Sequence, residues 1–176
     1  MKFLIVVDMQ EDFVNGVFGS DAAKAIVPYV TKQVRSDKYD WVIFTRDWHG
    51  ILDEESDIEN HLLPPHCIAN TKGAELVKDI VPNNCHALII NKNTFGAAKL
   101  EDIIIDNVSW DYELISEIHI VGLCTDICVI SNALAIRMWF PAARIVVHER
   151  GCAGTTPEKH LAALEVMKSN LIEVEY

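Results

Sequence analysis

Basic residues are scarce in this chain. Its 176 residues include 15 lysines and arginines against 26 aspartates and glutamates, for a formal net charge of −11. An acidic surface repels phosphate backbones, which argues against a nucleic-acid partner. Long apolar runs are missing as well: no stretch is long and apolar enough to span a bilayer, so no membrane partner is expected. The stretch "MKFLIVVDMQEDF" carries one lysine and an apolar run that stops at Asp8. That is too soon for a secretory h-region, and no small-residue cleavage site follows. Cysteine is limited to Cys67, Cys85, Cys124, Cys128 and Cys152, an odd and scattered set that offers no disulfide framework. The expectation is a cytoplasmic protein with reduced thiols. Glycine and proline are few, 8 and 6, and nowhere form a linker or low-complexity tract; no internal repeat is visible.

What is present is core-forming material. Half of the residues are hydrophobic, which excludes disorder, and the length suits one domain, residues 1–176. Apolar, β-branched runs recur: "FLIVV" at 3–7, "WVIFT" at 41–45, "ALIIN" at 87–91, "IHIVGL" at 118–123, "RIVVH" at 144–148 and "LIEVEY" at 171–176. Most lack polar alternation, as strands do when both faces are covered. Helix-like segments lie between them. "PYVTKQVRSDK" opens at Pro28, a good first-turn residue, and "GAELVKDI" occupies 73–80. Weaker helical signals fall near 97–106 and 110–115. "TDICVISNALAIRMWF" has Thr125 or Asp126 as N-cap and stops before Pro141, and "TPEKHLAALEVMKSN" has a Thr–Pro start with Glu158 in its first turn. The alternation predicts an α/β fold, a doubly wound three-layer α/β/α sandwich. Region 48–72 is long, mixed and proline-bearing, and is expected to be an ordered functional loop.

In an open α/β sheet, ligands bind beyond the carboxyl ends of the strands. Asp8 ends the first strand, Asp47 and His49 the second, and Lys92 the third, while the fourth runs into "CTDIC". A carboxylate, a metal-type pair, an amine and a thiol thus meet on one edge. Cys128 falls in the first turn of the next helix, where unpaired N–H groups and the dipole favour an anion and a nearby Lys92 would add to the effect; a lowered thiol pKa is expected. Cys124 lies before the helix and gains less. Taken alone, either thiol could instead be a buried small hydrophobe. Asp47 and His49, two apart, face the same side of an extended segment, and "ENHLLPPHC" adds Glu59, His61 and His66. Carboxylate and imidazole ligands suit Zn, Mn or Fe(II), although polar loop residues give the same pattern.

In their order and spacing, "VVDMQEDF", "IVPYV", "VIFTRDWHG", "LLPPHCIANTKGAEL", "INKNTFGA", "VGLCTDICVISNALAI" and "CAGTTPEKHLAALEVM" resemble the isochorismatase-like cysteine hydrolase superfamily, and within it the nicotinamidases. The resemblance implies a six-stranded, mostly parallel, Rossmann-like sheet. It implies a catalytic triad of Asp8, Lys92 and Cys128, with Cys128 the nucleophile. It implies a cis peptide bond before Cys124, and an oxyanion hole made by the backbone N–H groups of Cys124 and Cys128. Asp47, His49, Glu59 and His66 match one nicotinamidase metal set, for a divalent Zn, Mn or Fe; His61 is then a bystander. Phe13, Leu63 and Phe95 match substrate-pocket positions. Leu63 stands where many nicotinamidases carry Trp or Phe, a departure that removes one stacking face. The implied reaction is metal-dependent deamidation of nicotinamide to nicotinic acid and ammonia through a thioester. The rival is metal-independent hydrolysis of a small amide or ureide. The implied partners are a small aromatic carboxamide and further copies of the chain, as a homo-oligomer.

The remaining residues read as ordinary. Trp41 and Trp139 are expected in the core or an interface. His119 and His148 read as satisfied strand histidines, and Cys67, Cys85 and Cys152 as space-filling. Glu149 is a weak candidate to support the site from strand five.

Overall fold

The fold is given by a computed structural model that describes residues 1–50, 59, 62–78, 80–81, 87–108 and 110–176. Six strands form one sheet: β1 (Lys2–Val7), β2 (Trp41–Asp47), β3 (Ala87–Lys92), β4 (Glu117–Leu123), β5 (Arg144–Ala153) and β6 (Glu173–Glu175). Their order is β3-β2-β1-β4-β5-β6, and every neighbouring pair runs parallel. The chain therefore winds outward in one direction from β1, then returns to β4 and winds the other way. The switch point lies between β1 and β4, where the two following loops diverge and leave a crevice.

Period-two alternation in β1 sends residues to two separate cores. Phe3, Ile5 and Val7 join Leu100, Ile104, Ala133, Ile136 and Met167, supplied by α3 (Leu100–Asp106), α4 (Ile130–Trp139) and α5 (Pro157–Ser169). Leu4 and Val6 join Ala23, Ile26, Val30 and Val34 on the other face, supplied by α2 (Asp21–Val34), which follows the short α1 (Glu11–Val14). Both faces of the sheet are covered, which is why its strands read as unbroken apolar runs. Among the described residues, no helix is long and apolar enough to cross a membrane.

Three local expectations are corrected. Helix α2 starts at Asp21, because Ser20 Oγ accepts the Ala23 N–H and caps it there; Pro28 lies inside the helix. Among its described residues, segment 73–80 is not helical beyond the short 3₁₀ turn Lys72–Ala74. Its backbone pairs with the loop after β1, Glu11 N–H to Glu75 O and Val77 N–H to Met9 O, and so runs extended. Neither Thr125 nor Asp126 caps a helix. Cys124 precedes a π turn, Thr125–Val129, that leads into α4. The signal near 97–106 becomes α3, and that near 110–115 a 3₁₀ turn, Tyr112–Leu114.

At Gly122, β4 lies close against Val7 of β1. Gly122 has φ +126°, and a Cβ there would lie 2.0 Å from the Val7 carbonyl oxygen. No side chain fits beside this bend, which precedes Cys124.

The strand histidines are satisfied. His119 Nδ1 and His148 Nε2 lie 2.8 Å apart, His119 Nε2 meets Glu117 at 2.9 Å, and His148 Nδ1 meets the Tyr29 hydroxyl at 3.1 Å. Burial, then the neighbouring His119, lowers the His148 pKa to about 4. A depressed imidazole pKa stabilises the fold above the ordinary value near ~6.5 and loses that contribution as pH falls toward 4. The stability gap between the wild type and His148→Leu should therefore narrow by about 3 kcal/mol from pH 7 to pH 4, as read by urea unfolding. A gap that stays constant with pH would contradict this.

Candidate active site

The strand ends converge at the switch point. Asp8 leaves β1 with φ 48°, in the left-handed region that aspartate tolerates better than most residues. Its backbone N–H reaches Thr45, whose hydroxyl in turn donates to Asp8 Oδ1 at 2.6 Å. Oδ1 is thus occupied, and Oδ2 is left facing the crevice. Lys92, at the end of β3, brings Nζ to 2.8 Å from that oxygen, with the geometry of an ion pair rather than a formed hydrogen bond. The same Nζ donates to Asp47 Oδ1 at 3.2 Å and to Cys128 Sγ at 3.8 Å. The three residues of the implied triad therefore touch one another, although they are separated by 84 and 36 positions in sequence.

All three are buried, and this decides their protonation. Burial raises the Asp8 pKa, and Lys92 opposes it only in part. Burial alone would lower Lys92, but Asp8, Cys128 and Asp47 outweigh it and hold the ammonium charged well beyond the usual lysine range. The Cys128 thiol is pushed well above its ordinary value, by burial first and then by the Asp8 charge. This reverses the expected lowering. Cys128 sits 6 % exposed in a π turn, with a carboxylate against it, and the helix start does not compensate. The resting nucleophile candidate is a neutral thiol whose proton faces a carboxylate of raised basicity. Cys124, half-buried, has its thiol pushed to about 12 by burial and by Asp126. The Leu123–Cys124 peptide bond is cis, as the resemblance implied.

A second cluster adjoins the first through Asp47. Oδ1 of Asp47 faces Lys92, while Oδ2 lies 2.8 Å from His49 Nε2 and 3.2 Å from His66 Nε2. Glu59 Oε1 is 3.4 Å from His66 Nε2. One donor atom from each of Asp47, His49, Glu59 and His66 lies within 4.8 Å of all the others, and all four residues are buried. Secondary structure builds this cluster. Residues after β2 pair with 67–69, His49 N–H to Cys67 O and Ala69 N–H to His49 O, which sets His66 against His49. Asp12 accepts the Cys67 N–H at 2.8 Å and holds the same turn.

The donors fit a divalent cation. His66 Nδ1 meets the Pro64 carbonyl at 2.9 Å, which turns Nε2 toward two carboxylates, yet buried Nε2 makes no hydrogen bond. Burial would lower the His66 pKa, but Asp47 and Glu59 push it up to about 10. The pocket demands positive charge at that point, as a proton or as a metal ion, and a mixed imidazole–carboxylate set suits Zn, Mn or Fe(II). His61 lies outside the described residues.

Beside Cys128 opens a cavity of about 260 Å³, lined by Phe13, Phe18, Leu63, Phe95, Cys124 and Ile127 among others, with Glu59 and His66 at its metal-type end. All three expected pocket residues border it, Phe95 at the exposed rim. Sequence reading missed Phe18, whose ring lies 4.9 Å from His66 and stacks with Phe13 at 6.0 Å. It stands outside any strand end, and nothing local marks it. Gln10 was also missed. Wholly buried, it accepts the Asp47 N–H and donates to the Asp47 carbonyl, both at 2.7 Å, fixing the Asp47 backbone. Asn132 ties the Cys128 carbonyl at 2.8 Å to the Phe95–Ala97 loop, donating to Phe95 O and accepting the Ala97 N–H. Glu149 stays outside, 3.9 Å from His160.

A family model described as the Isochorismatase domain matches residues 2–175. The chain belongs to the isochorismatase family. Among family members, the Arabidopsis thaliana protein named Nicotinamidase 1 is 31% identical over 90% of this chain and 72% of its own. The Mycobacterium tuberculosis protein named Nicotinamidase/pyrazinamidase is 28% identical over 99% of this chain and 98% of its own. A crystal structure of pyrazinamidase of Pyrococcus horikoshii in complex with zinc superposes with a TM-score of 0.83, at 30% identity and 99% coverage of both chains.

Proposed function

We propose that this isochorismatase-family hydrolase, acting on amides, is a metal-dependent nicotinamidase in which residues 1–176 work as one domain. The observation that carries the reading is the sharing of Asp47. One carboxylate joins an Asp8–Lys92–Cys128 constellation to a buried four-donor group, and both face one small aromatic-lined cavity. An amide hydrolase without a metal needs the first cluster and has no use for the second. Relatives named nicotinamidase and a zinc-bound pyrazinamidase structure of the same fold support it.

Cys128 Sγ attacks the carboxamide carbon as Asp8 takes the thiol proton. The raised basicity of Asp8 suits that transfer, and Lys92 keeps the net charge of the group in check. The tetrahedral oxyanion is held by the backbone N–H groups of Cys124 and Cys128; in other enzymes one such donor is worth roughly 2.7–4 kcal/mol. Asp8 returns the proton to the departing ammonia. The thioester then yields to water, with Asp8 as base, releasing nicotinic acid. Asp47, His49, Glu59 and His66 would hold the divalent ion, which would supply a fixed Lewis acid beside the cavity that orients the ring. Phe13, Phe18 and Phe95 border the ring's space. Leu63 gives up one stacking face, worth about 0.5–1.5 kcal/mol.

The test is ammonia release from a panel of carboxamides, with elemental analysis of the purified protein. A tightly held divalent metal is expected, and a chelator should raise KM for nicotinamide at least about tenfold, with recovery on adding Zn, Mn or Fe(II). Full activity in metal-free protein would replace this reading with metal-independent amide hydrolysis.

A further inference from the structure

Asp126 has no part in the chemistry above, yet both its oxygens are engaged. Oδ1 accepts the Thr155 backbone N–H at 2.8 Å, and Oδ2 accepts the Thr155 hydroxyl at 2.6 Å. One residue earlier, buried Thr125 Oγ1 meets His160 Nδ1 at 2.8 Å. Thr125 and Asp126 belong to the π turn that carries Cys128, whereas Thr155 and His160 lie at the junction of β5 with α5 and in its second turn. Gly154 sits in the seam. A Cβ there would come within 2.8 Å of both Asp126 Oδ1 and His160 Cβ.

Gly154 and Thr155 border two spaces at once. One is the cavity of about 260 Å³ beside Cys128; the other is a wide groove of about 980 Å³ that opens between α2 and the start of α5. With Ser20, which also borders both, these residues form the wall between the reaction chamber and the groove. Burial does not hold this wall in place, since Thr155 is exposed and Gly154 only half-buried. The two hydrogen bonds to Asp126 tie it to the turn that carries Cys128.

We infer that Asp126 is a positioning residue that pins the Gly154–Thr155 wall to the nucleophile's own turn and so limits the size of the carboxamide that reaches Cys128. The inference rests on the amide-hydrolase reading, and its test keeps the two apart. The full-length wild type, Asp126→Ala, Asp126→Asn and Thr155→Val are compared in two ways. The first is kcat and KM for nicotinamide. The second, which needs no turnover, is the ratio of Cys128 alkylation rates by bulky N-phenylmaleimide and small iodoacetamide, read by peptide mass.

Losing both hydrogen bonds in Asp126→Ala should raise KM about tenfold, change kcat by less than about threefold, and raise the bulky-to-small ratio about tenfold. In Asp126→Asn the amide oxygen still accepts the N–H and the amide nitrogen can donate to the hydroxyl oxygen, so both readouts should stay within about threefold of wild type. Thr155→Val removes only the hydroxyl bond and should move the ratio about threefold in the same direction; it carries the test if Asp126→Ala does not fold. Equal effects of Asn and Ala at position 126 would overturn the inference, since a clamp built on geometry tolerates the amide. So would a bulky-to-small ratio unmoved by Asp126→Ala, or by Thr155→Val where that variant stands in. Absence of ammonia release from the wild type would instead overturn the functional reading, while the alkylation ratio still decides the role of Asp126.

Discussion

Cys128→Ala should lose ammonia release by about 10⁴-fold or more, while Cys124→Ala should stay within about threefold of wild type. Thiol acidity does not separate the two residues, since burial raises both pKa values. Their neighbours do. Cys128 Sγ has the Lys92 ammonium at 3.8 Å and the Asp8 carboxylate against it, whereas the second-largest influence on Cys124 is Asp126, which resists ionisation. In the proposed mechanism Cys124 serves through its backbone N–H, and alanine keeps that group. Initial-rate assays on folded variants check the pair. Retained activity in Cys128→Ala, with loss in Cys124→Ala, would transfer the nucleophile to the other sulfur.

Lys92→Met should be the most damaging change away from the sulfur, about 10³-fold or more in turnover, and should also destabilise the fold by about 3–5 kcal/mol. The lysine is 6 % exposed and holds two buried carboxylates apart, Asp8 at 2.8 Å and Asp47 at 3.2 Å. Methionine fills the space and leaves both acids without the cation. The pH dependence has a definite sign. In the wild type the Lys92 pKa is raised, so its stabilisation is complete below the ordinary lysine value of about 10.4 and is lost only as pH climbs through the raised value. In the variant Asp8 is raised further still, so the folded state prefers its acid form and loses stability as pH rises through that value. Urea unfolding should therefore find the variant's deficit smaller at pH 5 than at pH 8. A deficit independent of pH would place Lys92 outside the carboxylate pair.

Much of this site is legible in the sequence because the fold writes it at strand ends. β1, β2 and β3 end at Val7, Asp47 and Lys92, so a reader who finds the apolar runs also finds Asp8, the Asp47–His49 pair and the amine. The doubly wound sandwich follows from apolar strands that alternate with helices. What depends on tertiary partners was hidden. Ser20 begins α2 eight residues before Pro28, and no local rule prefers that cap to the proline. Segment 73–80 has a helical pattern, but the loop after β1 offers it hydrogen bonds in the extended form. The raised Cys128 pKa is hidden for the same reason. A helix-start argument is local, whereas the burial of Cys128 and the approach of Asp8 come from residues distant in sequence. Gln10, Phe18 and Asn132 act through distant contacts that leave no periodic trace.

The most direct measurement of the central claim is a rapid acid quench of enzyme mixed with nicotinamide, followed by peptide mass analysis. The account predicts a nicotinoyl group on the peptide that carries Cys128, absent in Cys128→Ala and on every other cysteine. Steady ammonia release with no acyl group on Cys128 at any quench time, and undiminished release by Cys128→Ala, would contradict it.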